Sequence, residues 1–395
     1  MGMFPTNNHS EYSKYSDFTS IMSSISYYLQ VVILCSILLW FFSRKGKIDR
    51  IVLCTVVLWA VGVSLIYFRY GPIGQWSFYQ NDQYWHWKVV AQLIPQGINF
   101  FSVDQLNLLR IPYALPAYLI STVGFDITLS LKFVSLVYLL LNFNVFQKYA
   151  EMHGIQLRLR IVWLFSGPFL IFFSLLALRE TTMLFFLSYI FLGRNTSLRG
   201  VSLICLGILR PHLAVAIIFG FVWGWLMKRA PRSWYFATVA ASALIPIWVG
   251  TLGFSVGNFL LNNLPLQLYQ DLFLKSQITQ VFSSFVGLQF LTVAYQTVEY
   301  TTQSILLIRL IFPEIVLVPL LFTSTLLIYK QELTQLKLTI FSAFVFFVAV
   351  SSGTEYLSVR QTLPFFPILA IVVIRTYAKE AVAKPEELAA SRVTN

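Results

Sequence analysis

Residues 21–68 read IMSSISYYLQVVILCSILLWFFSRKGKIDRIVLCTVVLWAVGVSLIYF. Two apolar runs, Ile21 to Ser43 and Ile51 to Phe68, flank a basic turn carrying Arg44, Lys45, Lys47 and Arg50. A helix needs about 20 apolar residues to cross the hydrocarbon of a bilayer, and each run is of that order. Backbone exposed to lipid must satisfy its own hydrogen bonds, so such runs fold as helices. Positive charge collects in cytoplasmic loops. The turn therefore lies inside and the N-terminus outside, and the first run stays as an anchor rather than a cleaved leader.

Composition extends this reading to the whole chain. Of 395 residues, 57% are hydrophobic and 11% charged, against about 25% charged in a soluble domain. The 36 Phe, 20 Tyr and 10 Trp suit a bilayer, whose interfaces collect Tyr and Trp. The net charge of +12 does not mark a nucleic-acid partner. Its lysines and arginines are dispersed in short clusters between apolar runs, as in cytoplasmic loops. Cys35, Cys54 and Cys205 each sit inside an apolar run and read as small core residues. There is no CxxC and no His/Cys cluster, so no metal or cofactor is indicated.

Followed onward, the chain predicts an all-α polytopic transmembrane protein of about 11 spans. A single transmembrane domain covers residues 1–378, with the N-terminus outside and a charged, disordered cytoplasmic tail at 379–395. Two outer regions interrupt it, at about 69–126 and 255–304, and carry amphipathic or re-entrant helices. In the first, Asn81 or Asp82 caps a helix running to Leu93. The segment IPYALPAYLISTVG (111–124), with Pro112 and Pro116, is short for a span. Ile127 to Phe146 then crosses inward to a turn marked by Lys148, Arg158 and Arg160.

The legs that follow, Ile161 to Leu178, Thr181 to Gly193, Val201 to Leu209 and Leu213 to Met227, alternate out and in. The last three hold about 9–15 residues, or about 14–22 Å at 1.5 Å per residue, too little for about 30 Å of hydrocarbon. The polar groups at their outer ends, Arg179-Glu180 and Arg210-Pro211-His212, therefore lie below the outer surface. Later spans run over Ser233 to Phe254, Ile305 to Tyr329, Leu338 to Ser352 and Leu363 to Ala378.

An ionisable residue at membrane depth is costly and is a functional candidate by default. On this topology the candidates fall on the outer side. They are Asp82, Tyr84, His86 and Lys88 in the first outer loop, Arg179 and Glu180, Arg210 and His212, and Glu355 and Arg360. Guanidinium groups stay charged and bind phosphate in two-pronged fashion, so Arg179, Arg210 and Arg360 suit a phosphate or diphosphate leaving group. His212 adds a hydrogen-bond donor, and helix starts near Thr181 and Leu213 add positive dipole ends. Asp82 can take the proton of an attacking hydroxyl. Each residue also has a plainer role. Asp82 fits a helix N-cap, Arg179-Glu180 a structural ion pair, and Arg210 and His212 a surface turn. Arg360 fits a snorkelling headgroup contact, and His86 and Lys88 an ordinary surface position.

The loop aspartate in NDQYWHW (81–87), followed by IPYALPAYL (111–119), resembles the multi-spanning glycosyltransferases of the GT-C superfamily. SLLALRETTMLFFL (174–187), GILRPHLAV (207–215) and SVRQTLPFFPILA (358–370) resemble patterns in bacterial members and in polysaccharide repeat-unit polymerases. The resemblance implies an enzyme of the bacterial plasma membrane that takes a sugar from a polyprenyl-phosphate carrier on the extracytoplasmic side. The acceptor would be a glycan or a lipid-linked molecule. By position Asp82 matches the family's base, and basic residues would hold the carrier phosphate. The chain departs from the pattern in having a whole span before the one leading into the loop, and Asn81 rather than an acid beside Asp82. A transporter or flippase of lipid-linked substrates is the reading from another class. Against it, no internal repeat is visible.

Overall fold

The computed structural model describes residues 21–44, 49–70, 86–95, 110–228, 334–354, 364–365 and 367–372. Among the described residues the regular structure is helical, with no strand. In chain order the helices are α1 (Ile21–Ser43), α2 (Arg50–Tyr70), a π-helical turn (Val89–Leu93), α3 (Ile111–Ser121) and α4 (Ile127–Met152). Then follow α5 (Gln156–Leu175), α6 (Glu180–Leu192), α7 (Thr196–Leu209), α8 (Pro211–Met227) and α9 (Gln335–Thr354). The spans expected at Ser233 to Phe254 and Ile305 to Tyr329, the outer region 255–304 and the tail lie outside the described residues.

Three described helices are long and apolar enough to cross a membrane: Ser24–Ser43, Arg50–Phe68 and Ile127–Met152. Their outer surfaces explain why a bilayer is needed. On α1, Tyr27, Val31, Leu34 and Leu38 are buried, while Ile25, Leu29, Val32 and Trp40 on other faces are exposed. On α2, Val56, Trp59 and Val63 are buried while Leu58, Val61 and Leu65 are exposed. A surface helix in water turns a polar face outward. These turn out apolar faces that lipid solvates and water would not. At the end of α1 the Arg44 guanidinium lies 4.0 Å over the Trp40 ring, an aromatic-basic pair suited to the membrane interface.

Several helix ends differ from the sequence expectation for local reasons. α4 runs on to Met152, so Lys148 is helical rather than in a turn. α5 begins at Gln156, taking in Arg158 and Arg160. α7 begins at Thr196 because the Asn195 side chain caps it, accepting from the Leu198 N–H at 3.3 Å. The Arg199 Nε then donates to the Gly193 carbonyl at 2.7 Å, which draws this basic residue into the helix. Of the cysteines, Cys35 is buried as expected, but Cys54 is exposed on α2 and Cys205 is intermediate.

The described residues group into two compact units. The first draws on residues up to Leu141 and on Leu170–Thr182; the second on Asn142–Phe169 and from Met183 onward. In the first, Tyr27 of α1 and Tyr67 of α2 stack at 3.8 Å. Gln30 of α1 accepts the Asp126 N–H through Oε1 at 2.8 Å. Asp126 in turn caps α4, its Oδ1 accepting the Leu129 N–H at 2.8 Å. Pro116 interrupts α3 and leaves the carbonyl four residues earlier without its helical donor. That carbonyl, of Pro112, accepts the Tyr138 hydroxyl of α4 at 3.4 Å. In the second unit, α8 packs on α9 through Gly220 and Gly224, which face Thr339 and Ala343. This is the small-residue spacing that lets membrane helices approach backbone to backbone.

Candidate functional site

In the first unit the polar groups gather where α5 gives way to α6. α5 ends in a paired-carbonyl cap: the Ala177 N–H reaches the Ser174 carbonyl and the Leu178 N–H reaches the Phe173 carbonyl, both at 3.2 Å. The cap requires a left-handed residue, and Ala177 supplies it with φ 54°. An L-residue pays about 1–2 kcal/mol for that conformation, so the surroundings hold it there. Directly after come Arg179, half-buried, and Glu180, 0% exposed, at the first turn of α6. The positive end of the α6 dipole favours a carboxylate there. Thr181 and Thr182 are also fully buried, and their hydroxyls have no hydrogen-bond partner among the described residues.

Three elements bring polar groups to this break. From α3, the Tyr113 hydroxyl lies 2.9 Å from the Leu131 carbonyl and 2.9 Å from Ser135 Oγ. From α4, Ser135 Oγ donates to the Leu178 carbonyl at 3.0 Å. The Glu180 carboxylate is close enough to act electrostatically on the Tyr113 hydroxyl. His86 packs its ring edge-on against Tyr113, centroids 5.1 Å apart. It is 2% exposed, so the plain surface position expected from sequence does not hold. His86 and Lys88 precede a π-turn in which the Ile94 N–H bonds the Val89 carbonyl at 3.0 Å. Such turns are frequent at functional sites.

A carboxylate, an imidazole and a phenol around a helix start can bind and deprotonate a hydroxyl. The neighbouring Arg179 can hold an anion. Farther along α4, Lys132 is 1% exposed, and its ammonium has no hydrogen-bond partner among the described residues. The Asp126 carboxylate acts on it electrostatically. Burial pushes the Asp126 carboxyl above its usual range, opposed by the Leu129 N–H and by Lys132.

In the second unit Arg210 occupies the break between α7 and α8. Pro211 causes the break, since a residue before proline is driven out of the helical region; Arg210 is extended, at φ −158°, ψ 88°. The arginine is 3% exposed. Its guanidinium lies 5.8 Å from the Phe347 ring of α9, and Phe347 packs on Phe365 with centroids 5.6 Å apart. His212 is the second residue of α8.

Of the residues expected to act, His86 and Glu180 both approach Tyr113 in the first unit, where Arg179 precedes Glu180 in the chain; Lys88 lies on the same short helix as His86, and Arg210 and His212 belong to the second. Asp82, Tyr84, Glu355 and Arg360 lie outside the described residues. Sequence reasoning passed over Tyr113, Ser135, Asp126 and Lys132. A lysine inside an apolar run was a legible signal for one of them; the hydroxyls carried none, because Ser and Tyr are unremarkable in such runs. Comparison with protein-family models, with curated proteins and with solved structures finds no match to this chain.

Proposed function

We propose that the chain is an integral membrane glycosyltransferase that moves a sugar from a polyprenyl-phosphate-linked donor to a glycan or lipid-linked acceptor. On this reading about 11 spans sit in the bacterial plasma membrane with the active site on the extracytoplasmic face. Asp82 serves as general base, and Arg179, Arg210 and Arg360 bind the carrier phosphate. Glu180, Glu355, Tyr84, His86, Lys88 and His212 complete the substrate contacts. No metal or cofactor is assigned. The observation that carries the reading is the burial of Glu180 and Arg210 at two helix breaks in a chain of apolar helices. Charged groups at membrane depth are costly and are functional candidates by default. The α6 and α8 starts add dipoles of the sign that a phosphate requires.

The test is transfer from a synthetic polyprenyl-phosphate sugar by purified protein in liposomes. Asp82→Asn should lower the rate by about 10²-fold or more, and unchanged transfer removes the base assignment. A repeat-unit polymerase would use the same groups on a longer acceptor and yield a ladder of products. The helix breaks also favour a lipid-linked substrate transporter, whose sites are framed by discontinuous helices. Movement of a labelled lipid-linked sugar across the liposome without a new glycosidic bond selects that reading instead.

A further inference from the structure

We infer that Tyr113 and Ser135 form a hydrogen-bond clamp that fixes the α5–α6 break and so positions Arg179 and Glu180 for ligand. The inference rests on the reading of those two residues as ligand groups. It begins with the choice of partner made by Ser135. A serine inside a helix ordinarily bonds the carbonyl three or four residues back. Ser130 does so with Asp126 at 2.8 Å, and Ser166 with Val162 at 2.8 Å. For Ser135 that local acceptor is the Leu131 carbonyl, and the Tyr113 hydroxyl already approaches it at 2.9 Å. Ser135 instead reaches the Leu178 carbonyl, 43 residues away.

The two hydroxyls hold two protons for three contacts. When Tyr113 donates to Ser135, Ser135 donates to Leu178. When Tyr113 donates to Leu131, the Ser135 proton goes to Leu178; only a donation from Ser135 to Tyr113 would leave that carbonyl unmet. Either way Tyr113 keeps Ser135 turned away from its own helix. Leu178 is the residue between strained Ala177 and Arg179, so its carbonyl is where α4 can hold the break. Tyr113 and Ser135 are thus positioning residues.

Hydrogen exchange at the amides of residues 177–182, on the full chain in lipid nanodiscs, tests this without reference to activity. Ser135→Ala should speed exchange there by about fivefold, the loss of one net hydrogen bond. Ser135→Thr should restore it. Tyr113→Phe should have the same effect with Ser135 intact, because the serine falls back on Leu131, and the double variant should be no worse than either. Ser130→Ala, which breaks a bond within α4, should leave these amides unchanged. Unchanged protection in both Ser135→Ala and Tyr113→Phe overturns the clamp, as does additive loss in the double variant. If the clamp opens as expected and the KM for the lipid-linked donor rises about 5–10-fold, both readings stand. If it opens with transfer unaltered, the clamp stands and the ligand role of Arg179 and Glu180 falls.

Discussion

Gly224 of α8 lies so close to Thr339 of α9 that a Cβ built on the glycine would sit 2.6 Å from Thr339 Oγ1 and 2.8 Å from its backbone nitrogen. One turn earlier, a Cβ on Gly220 would meet the Thr339 carbonyl oxygen at 2.6 Å and the Ala343 Cβ at 2.6 Å. Two backbones cannot approach this far with any side chain between them. In lipid, where no hydrophobic drive joins helices, such close packing is the main source of association. Phe219 adds to the seam by stacking on Phe346 with centroids 4.0 Å apart.

Gly220→Leu or Gly224→Val should therefore separate α8 from α9. The obstruction is backbone, which cannot rotate away, so the cost should exceed the usual overpacking loss of about 1–3 kcal/mol. Gly200, whose Cβ would meet nothing within 4 Å, is the control, and Gly200→Ala should be neutral or slightly stabilising within α7. Thermal denaturation of the detergent-solubilised protein reads all three. Equal melting temperatures for the Gly220, Gly224 and Gly200 variants would contradict the packing.

Ala177 tests the strain at the α5–α6 break. A left-handed conformation suits glycine, but the Ala177 methyl is buried and its removal forfeits up to about 0.8 kcal/mol. The two effects oppose each other, so Ala177→Gly should leave stability within about 1 kcal/mol of the parent. Ala177→Val adds β-branching in a conformation hostile to it and should cost more than about 2 kcal/mol. A valine variant as stable as the glycine variant would mean that the break does not adopt this conformation.

Asp126 and Lys132 should behave as a coupled pair. Asp126→Asn keeps an acceptor for the Leu129 N–H that caps α4, but removes the charge that acts electrostatically on the buried Lys132. The two charges act on each other without a hydrogen bond between them, so the loss should be modest, on the order of 1 kcal/mol. Lys132→Met removes the other charge, and the double variant should recover much of the loss from Asp126→Asn. The pH dependence follows from the raised Asp126 carboxyl. The folded protein holds that proton at a pH where the unfolded chain has released it. The stability from this site is therefore fully present below the ordinary carboxylate range and is lost as pH rises through the raised value. Asp126→Asn should abolish that slope. Melting curves across pH for the four proteins of the cycle provide the check, and additive losses would deny the coupling.

How far the sequence carried the fold depends on which physical quantity set each feature. Apolar length placed α1, α2 and α4 directly, since crossing or packing in a bilayer needs little beyond length and hydrophobicity. Proline placed the α7–α8 break, and the buried Arg210 beside it was legible for the same reason. The start of α7 was missed by five residues because Asn195 acts through one local hydrogen bond that apolar run-counting ignores. His86 read as a surface residue because its burial depends on Tyr113, 27 positions away. Ser135 was invisible for the deepest reason: its role comes from its usual acceptor being occupied, which only the three-dimensional arrangement of α3 on α4 decides.

The same logic of a displaced acceptor yields a last prediction at Pro116. Proline has no N–H, so the Pro112 carbonyl one turn back cannot bond within α3, and the Tyr138 hydroxyl donates to it at 3.4 Å instead. Tyr138→Phe should then cost about 0.5–1.5 kcal/mol by leaving that part-buried carbonyl unmet. In a Pro116→Ala background the helix regains its own donor at this point, and Tyr138→Phe should cost less than in the parent. The difference between the two losses is the energy that α4 contributes to the proline defect in α3. A loss from Tyr138→Phe that is the same in both backgrounds would mean that its hydroxyl acts through another partner. The cycle can be read from the melting temperatures of four proteins in one detergent.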